Sequence, residues 1–374
     1  MRIGLITFHA SYNFGSSLQA YAMQETVSKL GHECTVIDFL SRDQKGYGLL
    51  SPFHPKRNLR ILRKPCAYLK RRSSFKAFSK SYFRLTEKQY SYKDETMLTV
   101  LQKDFDCFVC GSDQIWNLDC TKGVVEPFFL SFTGNKPRVA YAPSLAHTEF
   151  KQKNFDKEKV ARLLADFDFL SMREEETLPL FQPLVDKPID VVLDPTLLLD
   201  ANDYEPIISK PPVNGDYIFI YLLRKCPDLL KSTIAIARET GKKVVYVSEK
   251  NLPIPNSENL FGVGPSEFLS LIANADNVMA NSFHAAVFSV LFHKPFRIFA
   301  TDKSSVRIMD LLLNLGIEER CVDCEDSSEI AEVDWADVDG RLIGLRKHSF
   351  DYLDRAFNQC RNGLYTTSRL STDL

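Results

Sequence analysis

No apolar run in the 374 residues approaches the ~20 needed to span a bilayer. The opening MRIGLITFHASYNFG has too few consecutive apolar residues for a secretory signal, so a cytoplasmic protein is expected. Net charge is also scarce: 47 Lys and Arg against 48 Asp and Glu leave −1, and no overall field points to nucleic acid. Nine cysteines, an odd number without an export signal, read as reduced thiols rather than a disulfide framework. Two CxxC spacings occur, Cys107/Cys110 and Cys321/Cys324. The first lies in an apolar strand, where residues three apart face opposite sides, so no metal site is expected. A GxGxxG fingerprint is missing too. The loop after the first strand holds Gly15 alone, and although Asp38 ends the next strand as a ribose-binding acid would, no dinucleotide site is expected.

What the chain does have is alternation. At 44% hydrophobic and 25% charged it is a globular protein long enough for two domains. Apolar strands recur with helices between them in both halves, which predicts two Rossmann-like, doubly wound parallel sheets of the α/β class. The first domain is expected over 1–200, the Pro- and Asp-rich stretch 201–215 as a linker, and the second over 216–374, including a C-terminal helix. Asp276 to Phe299 reads as strand, polar turn, buried helix, strand, and places His284 where a strand's carboxyl end meets a helix N-terminus. Open α/β sheets bind ligands there.

Other strand ends carry further candidates. The loop after the first strand offers His9, Ser11, Tyr12, Asn13, Ser16 and Ser17 as donors to a ligand. The loop after Cys110 offers Ser112, Asp113, Gln114 and Trp116, whose indole could cover a sugar face, and Pro143-Ser144 follows another strand. Arg173 beside Glu174, Glu175 and Glu176 is either a surface charge cluster or a bidentate anion ligand. Between Lys56 and Arg84 there are eleven Lys or Arg and no Asp or Glu. Leu59, Leu62, Leu69, Phe75 and Phe78 interleave with these charges, giving a basic amphipathic helical insertion, within 52–90, broken at Pro65. It suits either plain solvent or an anionic membrane surface at the inner face of the plasma membrane.

Six stretches, IGLITFHASYNFGSSLQAYAMQ, CFVCGSDQIWN, SMREEET, DPTLLL, SFHAAVFSVLFHKPF and SSVRIMDLL, occur in the order that resembles the polysaccharide pyruvyl transferase family over nearly the whole chain. The resemblance implies a glycosyltransferase-B-like pair of domains. It implies transfer of the enolpyruvyl group of phosphoenolpyruvate, a co-substrate rather than a cofactor, to a sugar or lipid-linked oligosaccharide of an exopolysaccharide or capsule. His284 would act as acid/base or donor ligand, with Arg173, Ser282, Ser304, Ser305 and Arg307 at the donor. His9, Asn13, Ser16, Ser112, Asp113, Gln114, Trp116 and Ser144 would lie on the acceptor side. Ketal-forming relatives carry Arg-Leu-His where this chain has Ser282-Phe283-His284, so the charge would come from Lys294, Arg297 or Arg307. Competing readings are a glycosyltransferase that grips a nucleotide sugar with Glu267 and Phe268, and a non-catalytic carbohydrate-binding assembly protein.

Overall fold

The structure is a computed structural model that describes residues 1–42, 48, 55–145, 156–299, 305–322 and 332–363. Its first sheet runs Glu33–Val36, Arg2–Ile6, Cys107–Cys110, Arg138–Ala140, all parallel. A bridge from Val139 to Phe169 joins it to the parallel pair Leu170–Met172 and Ile189–Val191. The second sheet has six parallel strands in the order Ser257–Asn259, Lys243–Tyr246, Tyr217–Tyr221, Asn277–Ala280, Phe296–Phe299, Cys321–Val322. Numbered within that half, this is 3-2-1-4-5-6, with the direction of winding reversing between Tyr217–Tyr221 and Asn277–Ala280. In the first sheet the reversal lies between Arg2–Ile6 and Cys107–Cys110.

Strands such as Ile3, Leu5 and Ile6 are continuous apolar runs because helices cover both faces of a parallel sheet. The two CxxC cysteines of the first sheet illustrate this: Cys107 packs with Ile3 and Leu5, while Cys110 packs with Ile6 and Phe108 on the other side.

The helix Phe14–Lys29 is buried nearly all round, polar residues included, since it lies between the two domains rather than against one. Phe14 stacks on Phe268 of the second domain at 4.4 Å and on Phe75 of the insertion at 5.3 Å. The insertion itself forms Pro55–Arg63 and Pro65–Tyr82, and Pro65 starts the second helix because a proline at that position costs no hydrogen bond.

Two segments pack in ways that local sequence does not announce. Within 201–215, the stretch expected as a linker, Asp200 caps a short helix, Ala201–Tyr204, whose Tyr204 is fully buried and donates to the Thr196 carbonyl. The last helix, Trp335–Arg361, was grouped with the second domain. Its Val338 and Leu342 do pack on the core shared by the domains, but Tyr352, Leu353, Ala356 and Phe357 cover the first sheet beside Ile3 and Leu5. Arg346 ties the crossing by donating to the carbonyls of Leu197 and Leu199.

Candidate active site

The two winding reversals face each other, and the side chains at their strand ends form one buried polar cluster. In the second domain, Asn281 pins the turn by accepting from Leu223 N and donating to Arg224 O. Ser282 then takes the N-cap position of the helix Phe283–Leu291, with extended backbone and no side-chain capping bond. His284 sits in the first turn of that helix, 8% exposed. Its ring rests against the other domain: a Cβ added to Gly15 would lie 2.0 Å from His284 Nδ1. Thus the N-terminal turns of Phe14–Lys29 and Phe283–Leu291 meet, and only glycine leaves room for the imidazole. Both helix ends favour negative charge.

Around the imidazole stand three carboxylates and two guanidiniums. Asp194, fully buried, lies 3.9 Å from His284 Nε2 and is held by Thr196 N (3.0 Å) and Thr196 Oγ1 (2.6 Å). Arg173 donates through Nη1 to Asp194 and through Nε to Glu174 Oε1 at 3.1 Å. Ser144 Oγ donates to the same oxygen of Glu174 at 2.5 Å. Asp113 accepts from Ser16 Oγ at 2.6 Å and from Gln114 N at 2.9 Å. Arg307 reaches over the Phe283 ring at 5.7 Å, and Arg173 over the same ring at 4.9 Å.

Burial and pairing oppose one another here. Burial disfavours the charge of Arg173, yet Asp194, Glu174 and Asp113 outweigh it and raise its pKa. For Asp194 burial pushes upward, and Arg173, His284 and the Thr196 bonds pull it below the usual carboxylate range. Burial lowers the pKa of His284, only partly offset by Asp194 and Asp113, which favours the neutral imidazole. Arg307 is lowered by burial and by Arg173.

Four buried polar atoms of this cluster have no partner: Arg173 Nη2, Glu174 Oε2, His284 Nε2 and Arg307 Nε. Each such atom costs ~1–3 kcal/mol unless something fills it, and native interiors hold few of them. Three of them, on Arg173, Glu174 and Arg307, belong to residues that line one cleft, which marks it as a candidate ligand site, while His284 stands outside that lining. Arg173, Glu174, Asp194, Phe283, Arg307 and Asp310 line a small cleft with about 70 Å³ of free space.

A sequence model of the polysaccharide pyruvyl transferases matches residues 13–303, more than half of the chain and all of this cluster except Arg307. The chain belongs to the polysaccharide pyruvyl transferase family. No curated protein matches it in sequence. Among solved structures, an α-glucosyltransferase in complex with UDP is similar at 12% identity, over 98% of this chain and 95% of that one, with a TM-score of 0.52. The UDP-GlcNAc 2-epimerase of Neisseria meningitidis bound to UDP-GlcNAc is similar at 10% identity, over 97% and 98%, with a TM-score of 0.49. At such identity the likeness speaks for the fold alone, which is glycosyltransferase-B-like.

In this pyruvyl transferase the residues singled out from sequence fall into groups. Arg173 and Arg307 line the cleft, and His284 stands beside it, 3.9 Å from Asp194. Ser16, Ser112, Asp113 and Ser144 lie beneath it: Ser112 Oγ bonds Ala142 O and reaches Asp194 at 3.5 Å. Asn13 caps the helix by accepting from Gly15 N and Ser16 N. His9, 1% exposed, is paired with Asp38 at 3.0 Å, and Gln114 accepts from Asn117. Trp116 is a correction. It is 1% exposed, stacked between Phe129 and Phe181 with Nε1 bonded to Phe128 O, so it fills the core and cannot cover a sugar.

Ser304 lies outside the described residues, and Ser305 opens the helix Ser305–Leu315 with its side chain outside them. Of the three cations that could replace the missing arginine, Arg307 is the one at the turn. Lys294 follows the far end of His284's helix, and Arg297 pairs with Met279, upstream of the turn. Glu267 and Phe268 do not make a nucleotide pocket either, since Glu267 caps its own helix through Gly264 N and Phe268 is fully buried against Phe14.

Sequence reasoning missed Asp194, Gly15 and Gln19. Asp194 enters the sequence reading only within DPTLLL, yet an acid at a parallel strand's carboxyl end is itself a signal. Gln19 Nε2 donates to Thr7 Oγ1 and Phe8 O while its Oε1 accepts from Ser112 N, stitching the two site loops of the first sheet together.

Proposed function

We propose that this pyruvyl transferase uses phosphoenolpyruvate and joins its C2 to two hydroxyls of one sugar in a cell-surface polysaccharide precursor, releasing phosphate. The observation that carries the reading is the set of four unpartnered buried atoms. Two of them, on Arg173 and Arg307, suit the oxygens of a small anion, and the two helix N-termini add ~0.3–1 kcal/mol each toward negative charge. Arg307 takes the place of the arginine that Ser282 lacks, and a neutral imidazole is ready to receive a hydroxyl proton. A donor of this size needs no platform for a nucleobase.

Two further points extend the reading to the acceptor. The insertion exposes Leu59, Leu62 and Leu69 (51%, 69% and 51%) among Arg63, Lys76 and Lys80, a surface suited to anionic lipid and hence to a lipid-linked acceptor on the cytoplasmic face. No helix among the described residues is long and apolar enough to cross a membrane, so attachment would be peripheral. Incubating purified protein with phosphoenolpyruvate and soluble or lipid-linked sugars should release inorganic phosphate and yield an acid-labile ketal. Absence of both, together with absence of phosphoenolpyruvate binding, sinks the donor assignment.

A further inference from the structure

We infer that Phe283 is a positioning residue of the donor site, its ring gathering the guanidiniums of Arg173 and Arg307 into one anion-binding pair. The inference rests on the small-anion donor proposed above. Arg173 comes from the first domain, just after the strand Leu170–Met172, and Arg307 from the second, on the helix Ser305–Leu315. Phe283 lines the same cleft as both. Its ring centroid lies 4.9 Å from the Arg173 guanidinium carbon and 5.7 Å from that of Arg307. Both distances fall within the ~6 Å over which an aromatic face attracts a cation, and the attraction is stronger where water is excluded.

The two guanidiniums are held by different means. Arg173 is anchored by Asp194 and Glu174, so its place is set without the ring. Among the described residues Arg307 makes no ion pair, and its Nε is buried without a partner. Asp310, one turn on in the same helix and on the same cleft wall, accepts from Asn314 at 3.4 Å and not from Arg307. Burial and the nearby Arg173 both disfavour charge on Arg307, and Glu174, Asp113 and Asp194 offset them only in part. The Phe283 ring is the contact that sets this charge beside Arg173.

The ring is itself fixed by the fold rather than by a ligand. Asn281 pins the turn before it, Ser282 takes the N-cap, and Phe283 is 5% exposed within the core shared by the domains. The pair is therefore assembled before the donor arrives, and a guanidinium already in place loses less freedom when an anion binds. A leucine at 283 would keep an apolar side chain and lose the aromatic face. It would also disturb the imidazole, because the ring meets His284 edge-on at 5.2 Å. The decisive substitution must change the face and keep the shape.

Phenylalanines carrying one, two and three ring fluorines, placed at 283, weaken the attraction for a cation stepwise at nearly constant size. Calorimetric affinity for phosphoenolpyruvate and for inorganic phosphate should fall with each fluorine, by ~10-fold at three, while kcat at saturating donor and the melting temperature hold. Phe283→Leu should lose at least as much affinity as the trifluoro ring. Affinities indifferent to the number of fluorines overturn the positioning role and leave Phe283 as a core aromatic; if phosphoenolpyruvate still binds, the donor reading survives. Fluorine-dependent binding of phosphate, with no binding of phosphoenolpyruvate to wild type, removes the donor reading and keeps the positioning role. Binding of neither anion to wild type removes both.

Discussion

At His284 the proposed chemistry depends on a contact that carries no chemical group of its own. Gly15 supplies only the absence of a Cβ, and an alanine there would place a carbon 2.0 Å from Nδ1. Helix propensity alone favours Gly15→Ala by ~0.5–1 kcal/mol, so any loss of activity comes from the clash. Since misplacing a catalytic group by an ångström can cost ~10²-fold, Gly15→Ala should lower kcat by about that factor with little change in melting temperature. His284→Ala should lose ~10²-fold or more. Combining the two should add almost nothing to the single His284→Ala loss, because both act through one ring. Additive losses in that double-mutant cycle would show that Gly15 serves something other than the imidazole.

Asp310 gives a residue-scale prediction of the opposite kind, visible in stability rather than rate. Burial first, then Glu176, Glu174 and Glu175, raise its pKa from 3.8 to about 7. A raised folded pKa means the contribution is fully present below the unfolded value and is lost as pH rises through the folded one. Wild type should therefore lose melting temperature relative to Asp310→Asn between pH 3.8 and about 7, and no further above that. Parallel melting curves for the two proteins across this window would show that Asp310 titrates normally.

At the scale of elements, the basic insertion has two faces, and only one was legible in the sequence. Its helices and the break at Pro65 follow from local pattern. The partners do not. Arg60 and Tyr68 bind Glu249, Lys64 donates to the Glu249 carbonyl, and Phe75 and Phe78 enter the core. Arg71 is buried, donates to Tyr12 O and Phe261 O, and stands 5.0 Å from the rings of Phe14, Phe75 and Phe261. It therefore ties the site loop to the second domain. Arg71→Ala strands two carbonyls and three ring faces, which predicts a loss of ~3 kcal/mol in urea unfolding. Arg71→Lys should rescue little, as a point charge cannot bridge both carbonyls over stacked rings. A loss under ~0.5 kcal/mol would mean water replaces the guanidinium.

The same contrast explains the rest of the fold. Parallel strands buried on both faces announce themselves as apolar runs, and turns at their ends are polar, so the alternation and His284's position were readable. Trp116, the return of Trp335–Arg361 to the first sheet and the burial of Phe14–Lys29 depend on which distant surface is covered. Periodicity says that a face is apolar, not what meets it.

For the whole molecule, the outward face of the insertion carries the proposed membrane contact. With Arg60, Lys64 and Arg71 engaged by the second domain, the charges that face solvent include Arg63, Lys76 and Lys80, and the exposed leucines lie among them. Near an anionic surface each charge is worth roughly 1 kcal/mol, so on that proposal three charges plus shallow leucine insertion would give reversible attachment. Screening over about 8 Å at physiological salt makes that attachment salt-sensitive. Changing Arg63, Lys76 and Lys80 to Glu should abolish co-sedimentation with anionic vesicles at low salt, and wild type should release as salt is raised. The site lies elsewhere, so turnover of a soluble acceptor should be unchanged in this variant while turnover of a vesicle-borne, lipid-linked acceptor falls. Equal sedimentation of both proteins, or of neither, would leave the leucines as solvent-exposed residues of a strap whose function is to hold the two domains around His284.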